Sequence, residues 1–142
     1  MKKNRKLYIF LGILQLIIAI GAIPAGLAFT IDPTGHSNGG NTEILSNSPF
    51  NDFLIPGLFL LIIHGVGNLF GAFLSFWRFN LAGITGIALG VTQVLWIVFQ
   101  VVWIGLSSFL QPTFFIVGFA EALIGYAIYR RIKKQNELKR IY

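Results

Sequence analysis

The sequence predicts an all-α membrane protein: four transmembrane helices in a compact bundle, with both termini cytoplasmic. Three observations carry that expectation. First, of 142 residues 55% are hydrophobic and only 11% charged, against roughly 25% charged in soluble domains. Second, four apolar runs come near or exceed the roughly 20 residues needed to cross a hydrocarbon core. Third, the eleven Lys and Arg fall only where a four-span chain would place them on one side. Mean hydropathy is +0.73. The sixteen Gly and fourteen Phe also suit membrane helices, in which Gly is commoner than in soluble ones.

The spans follow in order. Residues 7–29, LYIFLGILQLIIAIGAIPAGLAF, form the first, and residues 53–76, FLIPGLFLLIIHGVGNLFGAFLSF, the second. Asp52 is positioned to cap the second helix and Pro56 falls in its first turn, where proline is tolerated. The third, 81–106, is LAGITGIALGVTQVLWIVFQVVWIGL, and the fourth and shortest covers 113–129. Residues 30–52 make a polar loop rich in Pro, Gly, Asn and Ser, whereas 77–80 and 107–112 are short turns. Residues 130–142 form a basic tail. The whole chain, 1–142, reads as a single membrane domain.

Charge sets the orientation. Lys2, Lys3, Arg5 and Lys6 precede the first span, Arg78 lies in the 77–80 turn, and six more basic residues follow Tyr129. None lies in 30–52 or 107–112, while Asp32, Glu43 and Asp52 do lie in the long loop. The positive-inside rule places the termini in the cytoplasm and the long loop outside. Topology and contact with anionic headgroups account for the net charge of +6, so no nucleic-acid partner is implied. MKKNRK before an apolar run also resembles a signal peptide, with cleavage after Ala28 conceivable. The apolar run is much longer than the usual h-region, however, and a retained anchor is expected.

With no cysteine there is no disulfide, thiol nucleophile or thiolate metal site. His36 and His64 lie on different segments, so no metal site is expected. No phosphate-binding loop, catalytic triad spacing or cofactor motif is recognisable, and no cofactor is expected.

Helical residues three and four apart share a face. That spacing collects Tyr8, Gly12, Gln15, Ala19, Ala22 and Gly26 on the first helix. It collects Gly57, His64, Asn68, Gly71 and Ser75 on the second, with Gly67 alongside. The third gives Gly83, Gly86, Gly90, Gln93 and Gln100, interrupted by Ile97, and the fourth Gly118, Glu121 and Gly125. Lipid is as apolar as leucine, so membrane helices associate where small residues admit close backbones and polar groups bond across. The striped faces are therefore expected to point inward.

Counting 1.5 Å per residue from the basic ends, Gln15, Asn68 and Glu121 lie roughly 12–13 Å deep and His64 and Gln93 roughly 18 Å. These five, Glu121, His64, Asn68, Gln93 and Gln15, form a candidate intramembrane polar cluster. Acids within membrane spans often mark proton or cation pathways, and His64 is a candidate relay or ion-pair partner for Glu121. The competing reading is a protonated, hydrogen-bonded Glu121, with the amides as interhelical glue. Trp77 and Trp103 are expected at the two membrane interfaces.

SPFNDFLIPGLFLL at 48–61 and WIVFQVVWIGLSSFLQP at 96–112 resemble a group of small, uncharacterised four-helix bacterial membrane proteins. In that group a Ser-Pro-Phe-x-Asp segment leads into the second helix through Ile-Pro-Gly, and a Gln-Pro pair precedes the fourth. The resemblance implies a bacterial cytoplasmic membrane, multi-pass, and carries no activity. The leading functional expectation is a non-enzymatic accessory or interaction subunit, associated with a membrane-protein partner or with itself. The alternative is a small proton- or cation-coupled transporter or channel using Glu121. An enzyme acting on lipids is the least favoured reading, because no nucleophile accompanies Glu121 and His64.

Overall fold

The computed structural model describes residues 4–142, so the predicted roles of Lys2 and Lys3 lie outside the described residues. The chain folds into four long helices: α1 (Arg5–Ile31), α2 (Leu54–Phe76), α3 (Ala82–Ile104) and α4 (Leu110–Ile141). All four are long and apolar enough to cross a membrane, and there is no strand among the described residues. At 1.5 Å per residue their 27, 23, 23 and 32 residues span roughly 35–48 Å, beyond the roughly 30 Å of a hydrocarbon core.

The ends of α4 differ from expectation. It begins at Leu110, inside the predicted turn, and continues to Ile141 through the predicted tail. No Gly or Pro follows Gly125, and RRIKKQNELKR is made mostly of good helix formers, so nothing stops the helix where the apolar run ends. The start of α2 is shifted by one: Phe53 holds the cap position. Asp52 nevertheless accepts the Leu54 N–H at 2.9 Å, as a capping carboxylate does.

α2 is not uniform. Leu60–Gly67 is a π-helix between two α-helical stretches, Leu54–Phe59 and Asn68–Phe76. Widened turns of this kind are rare and gather at functional sites. Here the wide turn puts His64, Gly65 and Asn68 all on the buried side. In α1, Pro24 removes one ladder bond, a defect that neighbouring helices accommodate inside membranes.

The helices pair antiparallel, α1 with α2 and α3 with α4, and glycine decides how closely. A Cβ on Gly26 would lie 2.6 Å from the Leu61 amide nitrogen. One on Gly90 would lie 2.5 Å from the nitrogen of Ala122 and 2.6 Å from the oxygen of Gly118. These contacts are backbone to backbone, and a larger residue could enter only by moving a helix.

Two ends of the bundle result. At the end carrying the termini, Tyr8, Leu11, Leu74, Ala82 and Ile128 form a buried apolar cluster drawn from all four helices. At the other end lies the long loop. Asp32 accepts hydrogen bonds there from the Thr34 hydroxyl and, at 2.9 Å, from the Ser37 N–H. Those two bonds, Thr34 first, hold its carboxyl well below the usual carboxylate range. Phe29 stacks on Phe53 at 4.7 Å, and Phe50 meets Trp103 edge-on at 5.5 Å. The 105–108 turn is fixed by Gln111, whose side chain accepts from Ser107 N–H at 2.9 Å and donates to the Gly105 carbonyl at 3.2 Å.

The outward faces are strongly apolar. Ile20 is 70% exposed, Val102 71% and Ile116 67%, with Phe10, Phe70 and Phe119 also exposed. A soluble monomer does not present so continuous an apolar surface; a lipid-facing one does.

Candidate functional site

The interior between the apolar faces is polar, and every helix supplies part of it. On α1, the residues of the predicted stripe from Tyr8 to Gly26 are all buried. On α2, Gly57, His64, Asn68, Gly71 and Ser75 are buried, while Gly67 is only half-buried. On α3, Gly83, Gly86, Gly90 and Gln93 are buried; so is Ile97, the expected interruption, whereas Gln100 is half-buried. On α4, Gly118, Glu121 and Gly125 are buried.

Glu121 is the only acid within 110–130, and it has no exposed surface. Gln15 approaches its carboxyl from α1, but neither carboxyl oxygen completes a well-formed hydrogen bond. Gln15 is held from its other end: Ser75 Oγ on α2 donates to Gln15 Oε1 at 2.8 Å. Its amide nitrogen rests against Gly71, where a Cβ would come within 2.6 Å of it. From α3, Gln93 lies over Gly118, with Cγ 2.6 Å from where a Cβ would be. Gly118 is one helical turn before Glu121, so Gln93 crosses the same face of α4. Glycines at 71 and 118 thus make the room into which the two glutamines turn.

His64 is placed differently. Its ring is fully buried, edge-on to Phe59 at 5.2 Å and 6.4 Å from Trp96. Neither ring nitrogen has a hydrogen-bond partner within the protein, so the contemplated ion pair or direct bond to Glu121 is not formed. Phe59 and Trp96, 4.6 Å apart, form an aromatic pocket for the imidazole instead. Asn68 is also fully buried, with both amide atoms unpartnered.

Together Gln15, His64, Asn68, Gln93, Trp96 and Glu121 carry nine buried nitrogen or oxygen atoms without a protein partner. Native interiors satisfy about nine in ten such groups, and in a low dielectric each orphan costs about 1–3 kcal/mol. Gathered inside the bundle on residues of all four helices, they mark a polar interior rather than scattered defects. Its chemistry is a carboxyl group, amide oxygens and a neutral-capable imidazole: groups that hold a proton or a small oxygen-coordinated cation. Among the described residues, no three His, Asp or Glu side chains gather.

Two features of the site were not expected. Ser75 belonged to the predicted stripe but was not assigned to the cluster, and its bond fixes Gln15. The π-helix that turns His64 and Asn68 inward left only a faint trace, the Gly65 and Gly67 pair beside His64.

No family model, no curated protein and no solved structure matches this chain.

Proposed function

We propose that the chain is a multi-pass protein of a bacterial cytoplasmic membrane that handles a proton or small cation at Glu121, as a transporter or channel. The observation that supports this reading is the carboxyl of Glu121. It is fully buried, faced by Gln15, and without a completed hydrogen bond. A carboxylic acid kept for structure alone would be expected to satisfy both its oxygens, because burial makes unsatisfied groups costly. Gln15 turns its amide nitrogen toward the carboxyl and Gln93 offers an amide oxygen on the same face of α4, while Asn68 and His64 extend the polar path toward the loop end. In this reading the basic ends lie in the cytoplasm and the 32–53 loop outside, as the charge distribution favours.

Reconstitution into liposomes tests it. A pH-sensitive dye and a sodium or potassium gradient would report which ion moves. Glu121→Gln, which keeps shape and removes the ionisable group, is expected to abolish ion-dependent flux with the helix content unchanged. Equal flux in the variant and the parent protein would remove Glu121 from the mechanism.

A second reading, a non-enzymatic accessory or interaction subunit, draws on α4. Beyond Tyr129 the helix continues for about 12 residues, roughly 18 Å, with basic and polar side chains largely exposed. Such an arm suits a partner protein or anionic headgroups. Purification in mild detergent with associated proteins distinguishes it: a reproducible partner lost on truncation after Tyr129 supports this reading, and a solitary protein counts against it.

A further inference from the structure

What Glu121 can hold is decided by the groups around it. Residues 7–29, 53–76 and 81–106 contain no Asp, Glu, Lys or Arg, and Glu121 is the one such residue in 113–129. An ionised carboxylate at 121 therefore has no fixed counter-charge within the spans. The polar groups buried in the same interior are Gln15 from α1, His64, Asn68 and Ser75 from α2, and Gln93 and Trp96 from α3. Of these only His64 titrates, and its ring lies against Phe59 and Trp96. A buried carboxylate so placed is neutralised by a proton or by a metal cation.

Two observations separate those choices. The first is the orientation of Gln15. Ser75 Oγ donates to Gln15 Oε1 at 2.8 Å, which occupies the amide oxygen and leaves the nitrogen, a donor only, for the carboxyl. That nitrogen packs on Gly71, where a Cβ would come within 2.6 Å of it, so the amide is confined as well as bonded. An N–H group favours carboxyl oxygens and repels a metal ion in the same place.

The second is the supply of oxygen. Besides the two carboxyl oxygens, the buried amide oxygens left without a partner are Gln93 Oε1 and Asn68 Oδ1. Hard cations such as Ca²⁺ and Mg²⁺ take about six or more oxygens, and this interior does not supply them. A protonated carboxyl asks for less, because it has a single O–H to donate. Gln93 crosses the face of α4 at Gly118, one turn from Glu121, with its oxygen still free to accept.

We propose that the ion handled at Glu121 is a proton and not a metal cation, and that Ser75 is the positioning residue that sets this choice, by turning the Gln15 nitrogen toward the carboxyl. The inference rests on the reading of Glu121 as an ion-handling group and names the ion. The exchange is acid–base: an O–H bond forms on a carboxyl oxygen with a proton from water and breaks when the proton returns to water. No electron moves and no bond to carbon changes.

The test is reconstitution with all sodium and potassium replaced by N-methylglucamine, a permeant lipophilic ion carrying the compensating charge. Proton flux down an imposed pH gradient should be the same in this medium as in sodium or potassium, and absent in Glu121→Gln. Ser75→Ala releases the Gln15 oxygen, and the proton-over-sodium flux ratio is expected to fall about tenfold, the weight of one hydrogen bond to a charged group. Ser75→Thr, which keeps the hydroxyl, should restore the ratio. Infrared spectroscopy adds a readout that needs no transport. The carboxylic acid C=O band that Glu121→Gln removes should respond to pH, ignore sodium and potassium, and shift in Ser75→Ala. Thermal melting of each variant shows that it is folded. Glu121-dependent sodium or potassium flux in the parent chain overturns the proposal but leaves Glu121 an ion-handling group, and so does a band that moves with either cation at fixed pH. An unchanged flux ratio with an unshifted band in folded Ser75→Ala overturns the role of Ser75. Absence of Glu121-dependent flux of any ion overturns the transporter or channel reading, and this proposal with it.

Discussion

The two ends of the bundle use the same residue types and pack in opposite ways. At the end carrying the termini, Leu11 and Ile128 reach a shared centre with Tyr8, Leu74 and Ala82, and four helices meet. At the loop end, Phe29 of α1, Ile97 and Ile104 of α3 and Leu110 of α4 line a cleft of about 370 Å³. The difference lies in α1. Its first turns place Tyr8 and Leu11 inward, bulky enough to bridge to α3 and α4, whereas farther along the Phe114 ring of α4 reaches across to Gly21, 3.0 Å from where a Cβ would be, and the small Ala22 and Ala25 line the cleft beside it. Helices that face lipid gain little from burying apolar surface, so such a cleft beside α1 carries little cost in that setting. The Glu121 centre lies between the closed half and the open one.

The largest expected effect falls on the α3–α4 contact, which both ends share. Gly90→Val forces a branched side chain against the Ala122 nitrogen and the Gly118 oxygen, at 2.5 and 2.6 Å. Separation of the helices is expected, seen as loss of a monodisperse species and of the cooperative melt in detergent. A variant that melts like the parent chain would mean that the two helices are not held by this contact.

Next comes the contrast between the ends themselves. Leu11 is fully buried at the closed end, and Leu11→Ala should cost about 2–5 kcal/mol through lost packing and the cavity left behind. Ile104 borders the open cleft, and Ile104→Ala should cost about 0.5 kcal/mol or less, as at other loosely packed positions. Equal losses on unfolding in mixed micelles would show that the cleft is closed in solution.

The smallest effect is confined to the loop. Asp32 has a depressed folded-state pKa, so its hydrogen bonds are fully present above its unfolded value, about 3.9. They are lost as pH falls through the lower folded value. Hydrogen exchange at the Thr34 and Ser37 amides, compared with Asp32→Asn at each pH, should show protection in the parent chain near neutrality that disappears under acid. Identical ratios across the range would leave Asp32 without a role in ordering the loop.

Much of the centre was legible because it follows a helical period. Gln15, Asn68, Gln93 and Glu121 were found from spacing alone, since residues three and four apart must share a face whatever the neighbours do. His64 was equally legible as inward-facing, but not its company. Which helix faces which, and at what height, depends on crossings that spacing does not encode, and the crossings put His64 among Phe59 and Trp96 rather than at Glu121. The extension of α4 to Ile141 was missed for another reason: hydropathy reports where the apolar run ends, while a helix stops only where a breaker or a cap stops it.

The sequence by itself determined that there are four apolar helices, which face of each turns inward, and that a carboxyl group belongs to the interior. Those are properties of one helix at a time, set by composition and by the 3.6-residue repeat. Only the tertiary structure decided the pairing of α1 with α2 and of α3 with α4, the π-helical turn at His64, the Ser75–Gln15 bond and the cleft beside Gln93. Each of these arises where two or more helices meet, and glycines there let backbones approach to distances that no single helix can specify.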